Sequence, residues 1–309
     1  MVCEHSNCFQ NYTREEDFQV RLDILTLMKR PLVGAHVSVA GGLYTCFERA
    51  KDIGAEAIQI FGASPRGWAA KLLDKEAVQK FKNAHHAAGE PPVFLHAAYL
   101  PNPASPDKEA REKSVANLSA HLAIAEAIGA VGLIFHLGSG KELPKEEAIK
   151  VLVECIRQIL KNVRGNALLI MENSAGGGQK IGGAIEDMGA LFNDINSARV
   201  KVCIDTAHTF ESGVVMKYDS STVKQLANKL DTAFGLENLA ALHANDSMTL
   251  AGSHHDRHEN IGKGYIGTAG FKALSLEPRL LKAPWLLEVP GIDGNGPDAE
   301  NISLLKKLF

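Results

Sequence analysis

The sequence predicts an α/β fold, a single (β/α)8 TIM barrel. Short apolar runs rich in Val, Ile, Leu and Ala recur along the chain, and longer segments with helical periodicity lie between them. This alternation is typical of a parallel sheet covered by helices. No linker or low-complexity segment divides the 309 residues, and one such barrel commonly uses about 250 residues or more. One barrel domain is therefore expected, with its functional groups at the C-terminal ends of the strands.

Eight apolar runs are the predicted strands, which is the number that closes this kind of barrel. Residues 1–31 precede the first run and are a predicted N-terminal extension of unknown role, either a helix packed across the barrel bottom or an ordered tail; residues 32–309 form the barrel domain. Several amphipathic segments end in a glycine that suits a helix C-terminus. The predicted strands are 32–37, 57–61, 92–96, 131–136, 167–172, 200–205, 239–246 and 285–289, and the predicted helices are 43–54, 75–89, 114–129, 145–162 and 222–234.

The composition limits the classes of function and location. A net charge of -3 lacks the strong basic excess of proteins that coat nucleic acid without sequence preference. DNA binding would therefore depend on a local basic surface or on bound metal ions. No run of about 18 apolar residues occurs, and the N-terminus lacks the basic head and apolar stretch of a signal peptide, so the expected location is the cytoplasm, with no membrane contact. Five scattered cysteines fit reduced thiols.

Potential metal ligands end six of the eight predicted strands. A barrel places the C-terminal ends of all its strands around one rim, so these side chains should converge on one site. A single histidine or aspartate at a strand end more often caps a helix or satisfies a buried backbone group. Six of them at the same end are difficult to attribute to capping. They are His96, His136, Glu172, Asp205, His243 and Glu288.

Two local motifs add three further candidates. In CIDTAH, a tight turn can present Asp205 and His208 to the same cavity or to adjacent ions. In DRH, Asp256 and His258 are alternate residues, and alternate side chains of an extended backbone point the same way. Taken alone, DRH is more ordinarily a solvated loop with a salt bridge, and the other candidates are what favour a ligand pair.

The nine candidates exceed the capacity of one ion. A catalytic zinc uses about three protein ligands and keeps an open position. Sharing one carboxylate as a bridge allows three ions. Imidazole and carboxylate without thiolate favour zinc, with manganese or iron as substitutes. We therefore expect a cluster of divalent ions at the barrel rim.

Eight motifs carry a resemblance to a known family. They are GAHVSVAGGL, HAAYL, FHLGS, IMENSAGGG, CIDTAHTFESG, LHANDS, DRHENIGKGYIG and LLEVPG, in order from about Leu32 to the C-terminus. With them the sequence resembles the endonuclease IV family, the zinc-dependent apurinic/apyrimidinic endonucleases of base-excision DNA repair, and all nine ligand positions are filled. The resemblance implies hydrolysis of the phosphodiester bond 5′ to abasic sites in duplex DNA, which leaves a 3′-hydroxyl and a 5′-deoxyribose phosphate.

The resemblance also implies the ligand sets and the mechanism. A hydroxide that bridges the first two zinc ions would attack, the third ion would stabilise the departing 3′-oxygen, and no protein nucleophile would act. Glu172 would bridge the first two ions as the catalytic carboxylate. A monomer is expected. The implied sets are His96, His136 and Glu172 for the first zinc, Glu172, Asp205, His243 and Glu288 for the second, and His208, Asp256 and His258 for the third.

Recognition of the substrate depends on other residues. Family members insert side chains into the duplex near the abasic site, and the matching positions are Arg66, Tyr99 and Leu100, on the loops after strands two and three. The alternative is that Tyr99 and Leu100 only cover the rim. The second loop reads FGASPRGW where the family resembles FTKNPRQW, so it lacks a lysine but keeps Arg66 and Trp68. GSHH replaces a common arginine before DRH, and LEVP replaces LETP. These departures should affect DNA affinity more than chemistry.

The remaining histidines have more ordinary interpretations. His36 ends the first strand and is expected to support the ligands or pack beside them, because the resemblance assigns it no metal. His85, His86, His121, His254 and His255 are expected at the surface or in packing.

Two other functions remain open at this stage. A sugar isomerase or epimerase of a related barrel type would use Glu172, Asp205, His243 and Glu288 but would leave the other five candidates without a role. A catalytically silent DNA-damage-binding protein would keep the ions only to hold its loops. Metal content discriminates between the enzymes, because about three equivalents favour the nuclease and one or two favour the isomerase.

Overall fold

The computed structural model describes residues 30–64, 67–68 and 70–309. All but the last two residues of the predicted N-terminal extension lie outside the described residues, and so does the predicted DNA contact Arg66. No helix in the described ranges has the length and hydropathy needed to cross a membrane.

Eight parallel strands close into a barrel in the described part of the chain, which confirms the predicted fold class. Each strand pairs with the next along the chain, and the last pairs with the first. The seventh and eighth strands are shorter than predicted and end at His243 and Leu287. The strands are β1 (Val33–His36), β2 (Ile58–Phe61), β3 (Val93–His96), β4 (Gly132–His136), β5 (Leu168–Glu172), β6 (Val200–Asp205), β7 (Leu239–His243) and β8 (Trp285–Leu287).

Helices connect the strands and cover the barrel. The five predicted helices are present, and Gly54 and Gly129 end two of them in the left-handed conformation that glycine favours. Asp74, Asp107 and Asp219 cap three helices, each through its side chain. The helices are α1 (Cys46–Ile53), α2 (Lys75–Ala87), α3 (Lys108–Ile128), α4 (Lys145–Asn162), α5 (Ile185–Ile195), α6 (Thr206–Glu211), α7 (Ser220–Phe234), α8 (Gly267–Ser275) and α9 (Ala299–Lys306).

Two apolar layers hold the fold together. The larger lies between the strands and the surrounding helices. The smaller fills the barrel interior and closes it below the C-terminal rim. The interior layer consists of Ala57, Phe94, Ile134, Ile170, Cys203, Ala241 and Leu286.

Glu56 stabilises the opposite, N-terminal end of the barrel. Both terminal guanidinium nitrogens of Arg30 donate to its carboxylate at 2.8 Å, the Val33 amide donates at 3.0 Å, and Lys306 Nζ lies 2.9 Å away. Burial by itself raises the pKa of Glu56, but the hydrogen bonds from Arg30, Val33 and Lys306 outweigh burial and lower the pKa to about 2.

We predict that Glu56→Gln lowers the free energy of unfolding at pH 7 by about 1–2 kcal/mol, after allowance for partial exposure of the carboxylate. A carboxyl whose pKa is lower in the folded state stabilises above its unfolded pKa, here 4.5. That stability is lost as pH falls toward 2. Urea unfolding of both proteins between pH 7 and pH 3 should show the difference shrinking below pH 4.5. Glu109→Gln, on an exposed helix surface, is the control and should change little. A difference independent of pH would contradict the ionic role.

Candidate metal centre

The alternation of side chains along the strands places the predicted ligands at the rim. Inward-facing side chains of a strand alternate with outward-facing ones, so every second residue faces the barrel interior. In six strands, the residue two positions after an interior apolar residue is a predicted ligand. The predicted ligands therefore stand directly above an apolar floor. The pairs, apolar residue first, are Phe94 and His96, Ile134 and His136, Ile170 and Glu172, Cys203 and Asp205, Ala241 and His243, and Leu286 and Glu288.

Glu172 lies at the centre of the cluster, and its side chain is fully buried. Its Oε2 atom lies 3.0 Å from His96 Nε2 and 3.7 Å from His136 Nε2. Its Oε1 atom lies 2.8 Å from His243 Nδ1 and 3.6 Å from His208 Nδ1. The two carboxylate oxygens thus face two different pairs of imidazoles. A carboxylate shared between two cations needs this arrangement.

The set that the resemblance implies for the second zinc forms a compact group. One ligand atom each from Glu172, Asp205, His243 and Glu288 lies within 4.8 Å of the others. His243 Nδ1 lies 3.3 Å from Glu288 Oε2 and 3.8 Å from Asp205 Oδ2. A cation at the centre of this group would have four protein ligands within reach. That these residues bind zinc stays a prediction.

The set implied for the third zinc is more open. His208 Nε2 lies 3.2 Å from Asp256 Oδ2, and His258 Nε2 lies 3.5 Å from Asp256 Oδ1. Asp256 has a side chain that is 40% exposed. The compact group at this position contains Asp205, His208 and His258 and does not include Asp256. The Oδ2 atom of Asp205 lies 3.5 Å from His258 Nε2. Asp205 therefore lies between the second and third sets. Among the described residues, His136 and Asp256 belong to no compact group, but they lie 3.7 Å from Glu172 and 3.2 Å from His208.

Two amide side chains that the sequence analysis missed orient the ligands. Gln59 Oε1 lies 2.8 Å from His243 Nε2, and Gln59 Nε2 donates to Glu288 Oε1 at 2.5 Å. Asn245 Nδ2 donates to Asp205 Oδ2 at 2.7 Å, and Asn245 Oδ1 accepts from the Glu288 amide at 2.7 Å. Such contacts fix the direction in which a ligand atom points.

His36 lies beside this network, as the sequence analysis expects for a supporting residue. Its Nδ1 atom lies 3.0 Å from Gln59 Nε2 and 3.7 Å from Glu288 Oε1. Its ring packs against the ring of Phe61 at 4.3 Å between centroids. His36 therefore contacts a ligand and the amide that orients that ligand.

The other histidines pack elsewhere. His85 Nε2 lies 2.8 Å from the carbonyl oxygen of Pro91, and His254 Nδ1 lies 3.1 Å from that of Ala175. His121 is buried on α3. None of the three joins a potential metal group within the described residues.

The donor set fits divalent cations. Within the described residues, the four rim carboxylates form ion pairs only with histidines and with no lysine or arginine. The Nε2 atoms of His208 and His258 are buried and lack a hydrogen-bond partner among the same residues. Buried anions need compensating positive charge, and imidazole nitrogens without a hydrogen-bond partner can act as metal ligands. The chemistry of the cluster is that of a metal-binding site.

Protonation of the imidazoles is coupled to the carboxylates. Burial by itself raises the pKa of Glu172, but His136 and His243 outweigh it and hold this pKa well below 4.5. Burial likewise lowers the pKa of His243, but Cys203 and Glu288 outweigh it and raise that pKa well above 6.5. Against burial, the carboxylates also raise the pKa values of His96 and His208, whereas burial lowers that of His136, so the carboxylates favour protons on three of these imidazoles. Metal binding must displace them, so affinity should fall as pH falls.

Tyr99 and Leu100 lie on the loop after β3, beside the cluster. The Tyr99 side chain is 73% exposed, and its ring centroid lies 6.1 Å from that of His136. Leu100 is 38% exposed. Both apolar surfaces are open to solvent next to the predicted first metal site. That Tyr99 and Leu100 contact a substrate stays a prediction.

A closed parallel barrel with buried imidazoles and carboxylates at its C-terminal rim defines a metal-binding TIM-barrel enzyme. The family described as Xylose isomerase-like TIM barrel matches residues 47–308. Probable endonuclease 4 of Halothermothrix orenii is 35% identical over 276 residues, which cover 89% of this chain and 99% of that protein. The crystal structure of endonuclease IV from Thermus thermophilus is similar with a TM-score of 0.77 and 34% identity, covering 90% of this chain and 98% of that chain.

The chain belongs to the endonuclease IV family, whose members are DNA-cleaving hydrolases, and this confirms the resemblance found in the motifs. A D-tagatose 3-epimerase-like protein has a TM-score of 0.67 at 17% identity. At that identity the likeness shows the barrel fold alone. It therefore lends no support to the sugar isomerase alternative.

Proposed function

We propose that this chain hydrolyses the phosphodiester bond 5′ to abasic sites in duplex DNA and leaves a 3′-hydroxyl and a 5′-deoxyribose phosphate. The observation that carries the proposal is the convergence of five imidazoles and three further carboxylates around Glu172. The names of the similar proteins, endonuclease 4 and endonuclease IV, support DNA as the substrate. All nine side chains come from one chain, which supports a monomer as the active unit.

The proposed cofactor is zinc, three ions per chain, with Mn2+ or Fe2+ as substitutes. The contacts of Glu172 Oε2 with His96 and His136, and of Oε1 with His243, support its sharing between the first two ions. The proposed ligands are His96, His136 and Glu172 for the first ion, Glu172, Asp205, His243 and Glu288 for the second, and His208, Asp256 and His258 for the third.

The phosphodiester sets the requirements of the reaction, because it is anionic and repels hydroxide. Bound divalent ions supply an activated water and neutralise charge on the phosphate. The protein holds that positive charge in place: Glu172 joins two ligand sets, and Gln59 and Asn245 orient the carboxylates. The nearby hydroxyl of Thr206 donates to the Asn245 carbonyl at 2.7 Å, so its proton is engaged within the fold, and we propose that no protein side chain acts as the nucleophile.

Recognition of the abasic site is proposed to rest on Arg66, Tyr99 and Leu100. Side chains that enter a duplex unstack a step and bend the DNA, and an abasic nucleotide resists extrusion least. The exposure of Tyr99 and Leu100 beside the cluster supports a wedge role. The role of Arg66 rests on the resemblance.

An incision assay tests the proposed function. An end-labelled duplex with one synthetic abasic site should be cut 5′ to that site, and the upstream product should be extended by a DNA polymerase because it carries a 3′-hydroxyl. An intact duplex of the same sequence is the control. Equal cleavage of both duplexes, or conversion of a ketose with no cleavage, would refute the proposal.

We predict that the purified protein contains about three zinc equivalents and loses activity in EDTA over hours rather than seconds. Glu172, Asp205 and His243 are fully buried, so their ions should exchange slowly. Elemental analysis and residual incision, sampled during chelation, measure both quantities. Zinc added back to the chelated protein is the control for irreversible unfolding. Immediate loss that magnesium reverses would indicate a loosely bound magnesium instead.

A further inference from the structure

Glu211 is a buried carboxylate that the proposed reaction does not use. It is the last residue of α6, the short helix that directly follows β6 and carries His208. Its side chain forms no ion pair with any lysine or arginine in the described part of the chain. A carboxylate without such a partner is costly to bury, so hydrogen bonds must stabilise it.

Three donors from one loop converge on a single oxygen of Glu211. Oε1 accepts from Ser247 Oγ at 2.7 Å, from Thr249 Oγ1 at 3.3 Å and from the Arg257 amide at 3.2 Å. All three belong to residues 247–257, which follow β7. We call residues 247–258 the ligand loop, because Asp256 and His258 lie at its end.

The backbone around Glu211 binds the same loop. The Glu211 carbonyl accepts from the His254 amide at 2.9 Å, and the Phe210 carbonyl accepts from the Gly252 amide at 3.0 Å. The ligand loop is therefore attached to the end of α6 along most of its length, and the Glu211 carboxylate makes the contacts nearest to Asp256.

The Arg257 amide links Glu211 to the backbone of two proposed metal ligands. Arg257 stands between Asp256 and His258, so the carboxylate fixes the backbone that joins two proposed ligands. The third proposed ligand, His208, precedes Glu211 by three residues on α6, and residues three apart lie on the same face of a helix. One helix thus presents His208 to Asp256 and holds the backbone that carries Asp256.

We propose that Glu211 is a positioning residue for the third metal ion: it holds the ligand loop so that Asp256 and His258 face His208. This inference rests on the proposed function, because it takes the third metal site from it. Glu211 touches neither the ion nor the substrate. It acts on metal affinity through the geometry of two ligands.

Zinc affinity of the Glu211→Ala variant tests the proposal. Outer contacts of this kind are worth about 10–100-fold in metal affinity. At a buffered free zinc concentration that just saturates the wild type, the variant should hold two equivalents instead of three, with unchanged circular dichroism. A 10–100-fold higher free zinc concentration should restore the third equivalent, because every ligand is still present.

Two further variants give the test its contrast. Glu211→Gln keeps the accepting Oε1 atom and should retain most of the zinc affinity that the alanine variant loses. Glu277→Ala removes another carboxylate that binds within its own loop, through Arg279, before the N-terminal end of β8 and away from the rim, and should keep three equivalents. A Glu211→Ala protein that binds the third ion as tightly as the wild type would overturn the proposal. So would loss that no zinc concentration restores.

Hydrogen exchange separates this proposal from the proposed function. In metal-free protein, Glu211→Ala should speed the exchange of the His254 and Arg257 amides, whatever the protein does to DNA. If the wild type binds fewer than three ions but this exchange effect is present, the third metal site fails and the loop contact stands.

If Glu211→Ala does not fold, the double variant Ser247→Ala, Thr249→Val removes two of the three donors and should weaken binding of the third ion in the same way. Unchanged exchange in either folded variant would refute the positioning role.

Discussion

Replacing Glu172 by glutamine should abolish DNA incision and leave the barrel folded. Glutamine has nearly the same shape but lacks the charge that faces two pairs of imidazoles, with the nearest contacts to His96 at 3.0 Å and His243 at 2.8 Å. If the carboxylate is shared by two ions, its loss weakens both. A barrier higher by several kcal/mol corresponds to a rate reduced on the order of 1000-fold or more.

The measurement combines incision of an abasic duplex, elemental analysis and circular dichroism. We expect at least one zinc equivalent to be lost together with the activity. The matched control is Glu126→Gln, because Glu126 accepts from the Asn166 and Ala167 amides before the same strand, β5, at the other end of the barrel. That variant should keep its zinc and cleave normally. Retained turnover by Glu172→Gln would rule out the bridging role.

The barrel and its rim could be predicted because both depend on short-range patterns. An apolar run of fixed length predicts a strand, and the residue that ends it predicts the rim. His96, His136, Glu172, Asp205 and His243 each end an observed strand. These positions need no knowledge of distant contacts, because closure of the barrel brings the strand ends together.

The sequence could also have indicated Gln59, which follows the interior residue Ala57 by two positions. It was missed because an amide is not a usual metal ligand, so a search for charged or imidazole groups passes over it. Its function depends on contacts with His243 and Glu288, which are 184 and 229 residues away in the chain. Only the closed barrel shows these contacts. The same holds for Glu211 and the Arg257 amide, 46 residues apart.

Helix boundaries show a second limit. The helix predicted at 114–129 begins at Lys108, because Asp107 caps it and the first turns carry charged side chains in place of an apolar stripe. α5 (Ile185–Ile195) was not predicted. It has polar residues and a glycine within a short span, but Ile185, Met188 and Leu191 face the core. Tertiary packing decides such elements, and local periodicity does not reveal it.

Tyr99→Ala should reduce the preference of the protein for abasic over intact duplex. The ring is largely exposed beside His136 and outside the nine proposed ligands, so its removal should leave the metal ions in place. Filling a gap in the base stack is worth about 1–3 kcal/mol for one aromatic side chain, or roughly 5–150-fold in affinity. Intact DNA gains little from the ring, because inserting it there requires the stack to open.

The quantity to measure is the ratio of the Kd values for abasic and intact duplexes at one salt concentration, because phosphate contacts make both Kd values depend strongly on salt. Tyr99→Phe is the matched control: it keeps the ring and loses only the hydroxyl, so it should retain the preference. Zinc content should be equal in all three proteins, which separates recognition from loss of metal. If Tyr99→Ala leaves the ratio unchanged while the wild type prefers abasic DNA, then Tyr99 only covers the rim. Leu100 is then the next residue to test for insertion into the duplex.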